Sequence, residues 1–196
     1  MAGARIFCLH SVRLGGVSRD ETDAPKVERL MAALGRRASG PGAVYFTGGV
    51  SAVLFGWRSA TVDADLLLDP EPAGVFEAIA QIKDELSINI ELASPADFIP
   101  EIPGWRERSR FVAQHGPVAF YHYDFRAQAL AKLERGHSRD LDDVRAMLRR
   151  GLVTRDELAE AFTELVPRLI RYPAIDAEAF RTKVERFLAG EAEARG

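Results

Sequence analysis

The chain has 196 residues, 47% of them apolar and 28% charged, enough to bury roughly two-thirds of its unfolded surface without a disulfide or structural metal. Twenty-six basic residues against 29 acidic ones leave a formal charge of −3, which excludes a generally basic nucleic-acid coat while permitting a local basic patch. A single cysteine, Cys8, excludes an intrachain disulfide and a zinc site built on several thiolates. No apolar run approaches the roughly 18 residues of a membrane span. The stretch Ile6-Phe7-Cys8-Leu9 is too short for a signal peptide, so the expectation is a soluble cytoplasmic protein.

Residues 1–23 carry little periodicity and read as an N-terminal extension, a short strand at most and then a loop. A helix follows. Asp23 can cap it, Pro25 suits its first turn, and Val27, Leu30, Met31 and Leu34 make the i, i+3, i+4, i+7 stripe. Ser39-Gly40-Pro41-Gly42 breaks the chain before a strand at 43–47, a Gly48-Gly49 pair and a short helix at 50–55. A strand is expected at 62–68, with Val62, Ala64, Leu66 and Leu68 inward. Pro72 opens a helix whose apolar side is Val75, Phe76, Ile79, Ile82 and Leu86. Residues 87–92 alternate strictly, the period of a half-buried strand. After a loop holding Pro95, Pro100 and Pro103, residues 110–114 and 118–123 read as a hairpin turning at His115-Gly116. From Asp124 the chain is helical. Gly136 and Gly151 are stops, Thr154 with Glu157 is a capping box, and Pro173 precedes a last helix with Phe180, Val184, Phe187 and Leu188 on one side. The expected organisation is an α/β core over 24–123 and a helical region over 124–196.

Three features could carry chemistry. Gly48-Gly49, between a strand and a helix, would let a phosphate approach the backbone closely. Alone, such a pair is more often a plain turn. Asp63-Ala64-Asp65 puts two carboxylates on one strand face, about 6.6 Å apart. A solvated face would tolerate that, and so would a divalent cation with oxygen ligands. Glu91 shares a face with Ser87 and Asn89, and it becomes a third carboxylate there if its strand neighbours 62–68. Downstream, Lys132 and Arg135 lie three apart on a helix, where both could meet one phosphate, with Asp140 in the next first turn. Surface helices often carry such charges with no ligand.

Together these residues resemble a known family. Gly48-Gly49-Val50-Ser51, Gly56-Trp57-Arg58 and Thr61-Val62-Asp63-Ala64-Asp65-Leu66 are similar to the signature of the nucleotidyltransferase (polymerase-β-like) superfamily. Lys132-Leu133-Glu134-Arg135-Gly136 with Arg139-Asp140-Leu141-Asp142-Asp143-Val144 resembles the K-x-x-R … R/K-D-x-x-D pattern of its AbiEii-type branch, which includes MenT-type toxins. Val50 stands where many members have Ser or Thr, and Ala64 where they have a bulkier aliphatic residue.

The resemblance implies a mixed β-sheet core flanked by helices, with a C-terminal helical region over the nucleotide. It implies one or two Mg²⁺ ions on Asp63, Asp65 and Glu91, the last as ligand or base. Gly48, Gly49 and Ser51 would cradle the triphosphate. Arg58, Lys132 and Arg135 would offset phosphate charge, and Asp140 would orient Lys132 or the acceptor. The implied reaction transfers NMP from an NTP to RNA, with a tRNA 3′ end the foremost acceptor, in a toxin restrained by a cognate antitoxin protein. A small-molecule or protein hydroxyl, or a non-catalytic nucleotide-binding module, are the alternatives. Arg106, Arg108 and Arg110, with Arg135, His137 and Arg139, are the candidate strip for an RNA backbone. His115 reads as a turn residue, and Tyr121 with Tyr123 as one sheet face.

Overall fold

The structure is a computed structural model that describes residues 21–193, with side chains through residue 190. The expectations for residues 1–20, Cys8 included, lie outside the described residues.

The first helix, α1, runs Ala24–Arg37 and starts as its sequence dictates. The Asp23 carboxylate accepts the Lys26 N–H at 2.9 Å, and Val27, Leu30, Met31 and Leu34 are all buried. Just before it, β1 (Thr22–Asp23) pairs antiparallel with β3 (Ala60–Thr61). Among the described residues, five further strands make one mixed sheet: β2 (Gly42–Phe46), β4 (Asp63–Leu68), β5 (Asn89–Leu92), β6 (Arg110–His115) and β7 (Val118–His122), in the order β5-β4-β2-β7-β6. The β2–β7 and β4–β5 pairs are parallel, while β2–β4 and β6–β7 are antiparallel. The fold is mixed α/β.

Period-two alternation sends the residues of each strand to two different cores. Val44, Phe46, Ala64, Leu66 and Ile90 pack with α1 and with α3 (Val75–Leu86) on one face. Ala43 and Tyr45 turn to the other face, where Trp105 and Tyr123 stack at 4.2 Å between ring centroids. That second core is completed by α5 (Phe125–Arg135), α6 (Ser138–Arg149), α7 (Arg155–Leu165) and α8 (Ala177–Glu193), through Leu130, Val144, Leu158 and Phe180 among others. Gly136, at φ +71°, ends α5, and Gly151, at φ +63°, follows α6. Both positions are left-handed, the conformation glycine adopts without strain. Thr154 and Glu157 cap α7 reciprocally.

Several expectations need correction. Strand β4 begins at Asp63, and Val62 sits outside it at 54% exposure rather than inward. Ser87 ends α3 in a left-handed conformation, so β5 starts two residues later than the alternation implies. Phe76 and Leu92 are also exposed. Leu92 is the last residue of β5, which among the described residues pairs with a neighbour on one side only. Arg106 and Arg108, read as leading into the hairpin beside Arg110, do not share its strand. They belong instead to the helical turn α4 (Trp105–Arg108), entered through Gly104 at φ +71° and anchored by the buried Trp105.

Candidate functional site

Because β2 and β4 run antiparallel, the end of one and the start of the other meet at the same end of the strands. There the Thr47 N–H donates to the Asp65 carbonyl at 3.1 Å. The helix α2 (Gly48–Leu54) begins at once, two residues before the sequence implies. Gly48 has φ +52°, and a Cβ on it would lie 2.9 Å from Asp65 Oδ2. A Cβ on Gly49 would fall 2.0 Å from Thr61 Oγ1. The glycine pair is therefore a requirement of close approach: one glycine admits the Asp65 carboxylate, the other admits Thr61.

The condition set on Glu91 is met. Strand β5 lies parallel to β4, with Asp63 opposite Asn89 and Asp65 opposite Glu91. The carboxylates share a sheet face that α5 overhangs. The Asn89 amide lies between two of them, donating to Asp63 Oδ1 at 2.6 Å and to Glu91 Oε1 at 3.0 Å. Burial, then the charges of Asp63 and Glu91, push the Asp65 carboxyl up to about 6, against a weaker downward pull from Arg135 and Lys132.

Across the cleft, Lys132 is buried on α5, its Nζ 2.6 Å from Asp143 and 3.2 Å from Asp140. An ammonium has three protons, so one remains for the cleft that Lys132 lines. Asp143 also accepts Arg58 Nη2 at 2.6 Å and Trp57 Nε1 at 3.1 Å, tying the segment after α2 to α6. Asp140 receives Arg135 through both Nε and Nη2. Burial alone would raise the Asp140 carboxyl, but the Arg135 hydrogen bond and the Lys132 and Arg135 charges outweigh it and hold the carboxyl below its ordinary value. The Gly48 N–H donates to Gln128 Oε1 at 3.0 Å, while Gln128 Nε2 holds the Tyr123 carbonyl.

These groups enclose a cleft of about 480 Å³, within the range of small-molecule sites. Gly48, Gly49, Arg58, Asp63, Asp65, Glu91, Lys132, Arg135 and Asp140 all line it. Of the expected site residues, Ser51 is the exception. It is fully buried, its hydroxyl placed between the Phe46 carbonyl and His122 Nδ1 at 3.3 and 3.0 Å. The helix starts early enough to turn the fourth residue into the core, so Ser51 is corrected from phosphate cradle to interior hydrogen-bond partner. The Gly48 N–H, occupied by Gln128, is likewise withdrawn from that cradle. Asp143, Gln128 and Phe98 were missed. Asp143 was legible in the D-x-x-D spacing, which puts it on the Asp140 face of α6.

The arginine strip divides. Arg106 pairs with Asp69, beyond the far end of β4, and Arg108 pairs with Asp124 at 2.7 Å. Arg110 donates to the Leu152 carbonyl. Of the six residues proposed for that strip, only Arg135 and Arg139 line the cleft.

A magnesium ion fits this donor set by chemistry. The carboxylates offer hard oxygens, and a dication would offset the charges of Asp63 and Glu91 that, after burial, raise the Asp65 carboxyl. Among the described residues, no group of three or more His, Cys, Asp or Glu side chains is close enough together to hold a metal ion. No helix among them is long and apolar enough to cross a membrane. No protein-family model, curated protein or solved structure matches the chain.

Proposed function

We propose that the chain is a Mg²⁺-dependent nucleotidyltransferase that moves NMP from an NTP to an acceptor hydroxyl. The observation that carries this reading is the register of β4 and β5. It sets Asp65 beside Glu91 on the floor of a nucleotide-sized cleft, with Lys132 and Arg58 on its wall.

Asp63 and Asp65 would hold the metal, with Glu91 as a further ligand or as the base for the acceptor proton. When bound, the metal supplies positive charge to the triphosphate oxygens. The acceptor oxygen attacks the α-phosphorus, the bond to the bridging oxygen of pyrophosphate breaks, and the hydroxyl proton passes to base or solvent. Lys132 and Arg58 meet the charge that develops on the leaving pyrophosphate. Asp140 and Asp143 position Lys132, and Gly48 and Gly49 keep the floor clear of side chains.

The resemblance to the AbiEii-type branch supports an RNA acceptor, foremost a tRNA 3′ end, and a cytoplasmic toxin with an antitoxin partner. The engagement of Arg106, Arg108 and Arg110 away from the cleft favours a second reading, in which the acceptor is a small molecule or a protein hydroxyl. The deciding experiment incubates the chain with each labelled NTP, Mg²⁺ and total cellular RNA, then with the protein and small-molecule fractions. Label in RNA supports the first reading and label in another fraction the second. Absence of label and of pyrophosphate in every fraction overturns the transferase.

A further inference from the structure

The resemblance gives Arg135 the part of offsetting phosphate charge, yet its guanidinium is already held by a carboxylate that it shares with Lys132. Asp140 takes its Nε at 3.2 Å and its Nη2 at 2.6 Å, a two-point grip that fixes the guanidinium plane. The same guanidinium lies over the ring of Phe98, with Cζ 4.7 Å from the centroid. Phe98 is 37% exposed and lines the cleft. A large ring left open inside a cleft is an uncovered apolar surface, and a pinned guanidinium is a flat, weakly hydrated one. Lys132 stands on the same helix one turn earlier and lines the same cleft.

We propose that Phe98 and Arg135 form a stacking platform for the base of the nucleoside triphosphate, an inference that rests on the nucleotidyltransferase reading above. Stacking recognises the face of a base rather than its edge, so all four bases bind and the larger purine rings bind best. The platform assigns the two ends of the nucleotide: triphosphate toward Asp65 and Lys132, base toward Phe98.

The test measures binding by calorimetry in Mg²⁺ without acceptor, using ATP, UTP and ribose 5-triphosphate, which lacks a base. The wild-type chain should bind ATP more tightly than UTP, and should bind ATP about tenfold or more tightly than the base-free compound. Phe98→Ala should bring all three ligands within about twofold of one another, and Phe98→Tyr should restore the order. Arg135→Lys, which keeps the charge and loses the plane, should narrow the spread without weakening ribose 5-triphosphate. Phe98→Leu keeps apolar bulk and carries the same test should the alanine variant not fold. Retention of the wild-type spread in the alanine or leucine variant overturns the platform alone. Failure of the wild-type chain to bind any of the three overturns the platform together with the nucleotidyltransferase reading.

Discussion

The Lys132 ammonium lies 2.6 Å from the Asp143 carboxylate, with both side chains almost wholly out of water. Asp143 belongs to α6 and Lys132 to α5, and Asp143 also receives Arg58 from the segment after α2. One buried carboxylate thus fixes two cations that line the cleft. Removing it leaves Arg58 without its carboxylate and Lys132 with Asp140 alone at 3.2 Å, a far larger penalty than the net worth of an intact pair. Asp143→Ala should therefore lower stability by about 3 kcal/mol or more in urea unfolding. Asp142→Ala, next to it but exposed, should change stability by less than about 0.5 kcal/mol. Equal small losses in the two variants would deny Asp143 its anchoring role.

Lys132→Ala should abolish transfer and also destabilise, because Asp140 and Asp143 lose a shared cation. Lys132→Arg should recover only part of the activity, since a broad guanidinium does not fit a close contact made for an ammonium. Rates matched to fraction folded separate the two losses. A folded Lys132→Ala chain with wild-type turnover would remove Lys132 from the chemistry.

Asp65 makes the metal-free fold sensitive to pH. Its carboxyl lies at about 6 in the fold against an ordinary 3.8. The fold therefore holds the proton more tightly than the unfolded chain does. That contribution to stability is complete below pH 3.8, fades as pH rises toward 6 and is gone above it. In chelator at pH 7, Asp65→Asn should be more stable than wild type by about 1–2 kcal/mol, discounted for partial solvent screening, and inactive. A stability loss in this variant would mark Asp65 as structural.

His122 has the opposite sign. Burial first, and the Arg110 charge second, pull its imidazole down to about 4 from 6.5. Its contribution is complete above pH 6.5 and is lost as pH falls through 4. Between pH 4 and 6 the two groups oppose each other, so wild type should vary little in metal-free buffer. Asp65→Asn leaves His122 unopposed, and its melting temperature should drop on acidification across that window. Parallel wild-type and Asp65→Asn curves would contradict this pairing of shifts.

Gly49→Ala should fail through overlap with Thr61, where a Cβ would come within 2.0 Å of Oγ1. Overpacking of this kind costs about 1–3 kcal/mol. Adding Thr61→Gly should return part of the loss, which a double-mutant cycle measures as coupling. Additive losses would show that Gly49 is needed for its backbone alone.

The alternation at 87–92 and the Asp63-Ala64-Asp65 spacing were legible because strand period two is a local property. Their pairing was conditional in the sequence, since nothing local says which strands adjoin. Ser51 was misread for a related reason. A start at Gly48 rather than Val50 rotates the whole of α2, and that start depends on the distant Gln128 and Asp65 side chains. Phe98 escaped notice because its Pro-rich surroundings carry no periodicity, and only α5 packing against that loop brings it to the cleft. The arginines at 106 and 108 sit at alternate positions before the hairpin, and spacing alone does not say which way they face. Gly104 and the burial of Trp105 impose a helical turn that sends them to Asp69 and Asp124.

Strand β5 borders the sheet and is held along one side by a four-residue ladder to β4. Asp65 is fastened on both sides, to β5 and through Thr47 to the end of β2. The acidic face is therefore divided between a strand paired on both sides and a margin paired on one, and local opening is expected to cost less free energy at the margin than in the sheet interior. Glu91 and Asn89 lie on that margin. A ligand engaging all three carboxylates would draw the border inward, and amide exchange along β5 would slow while that of β2 stayed as it was.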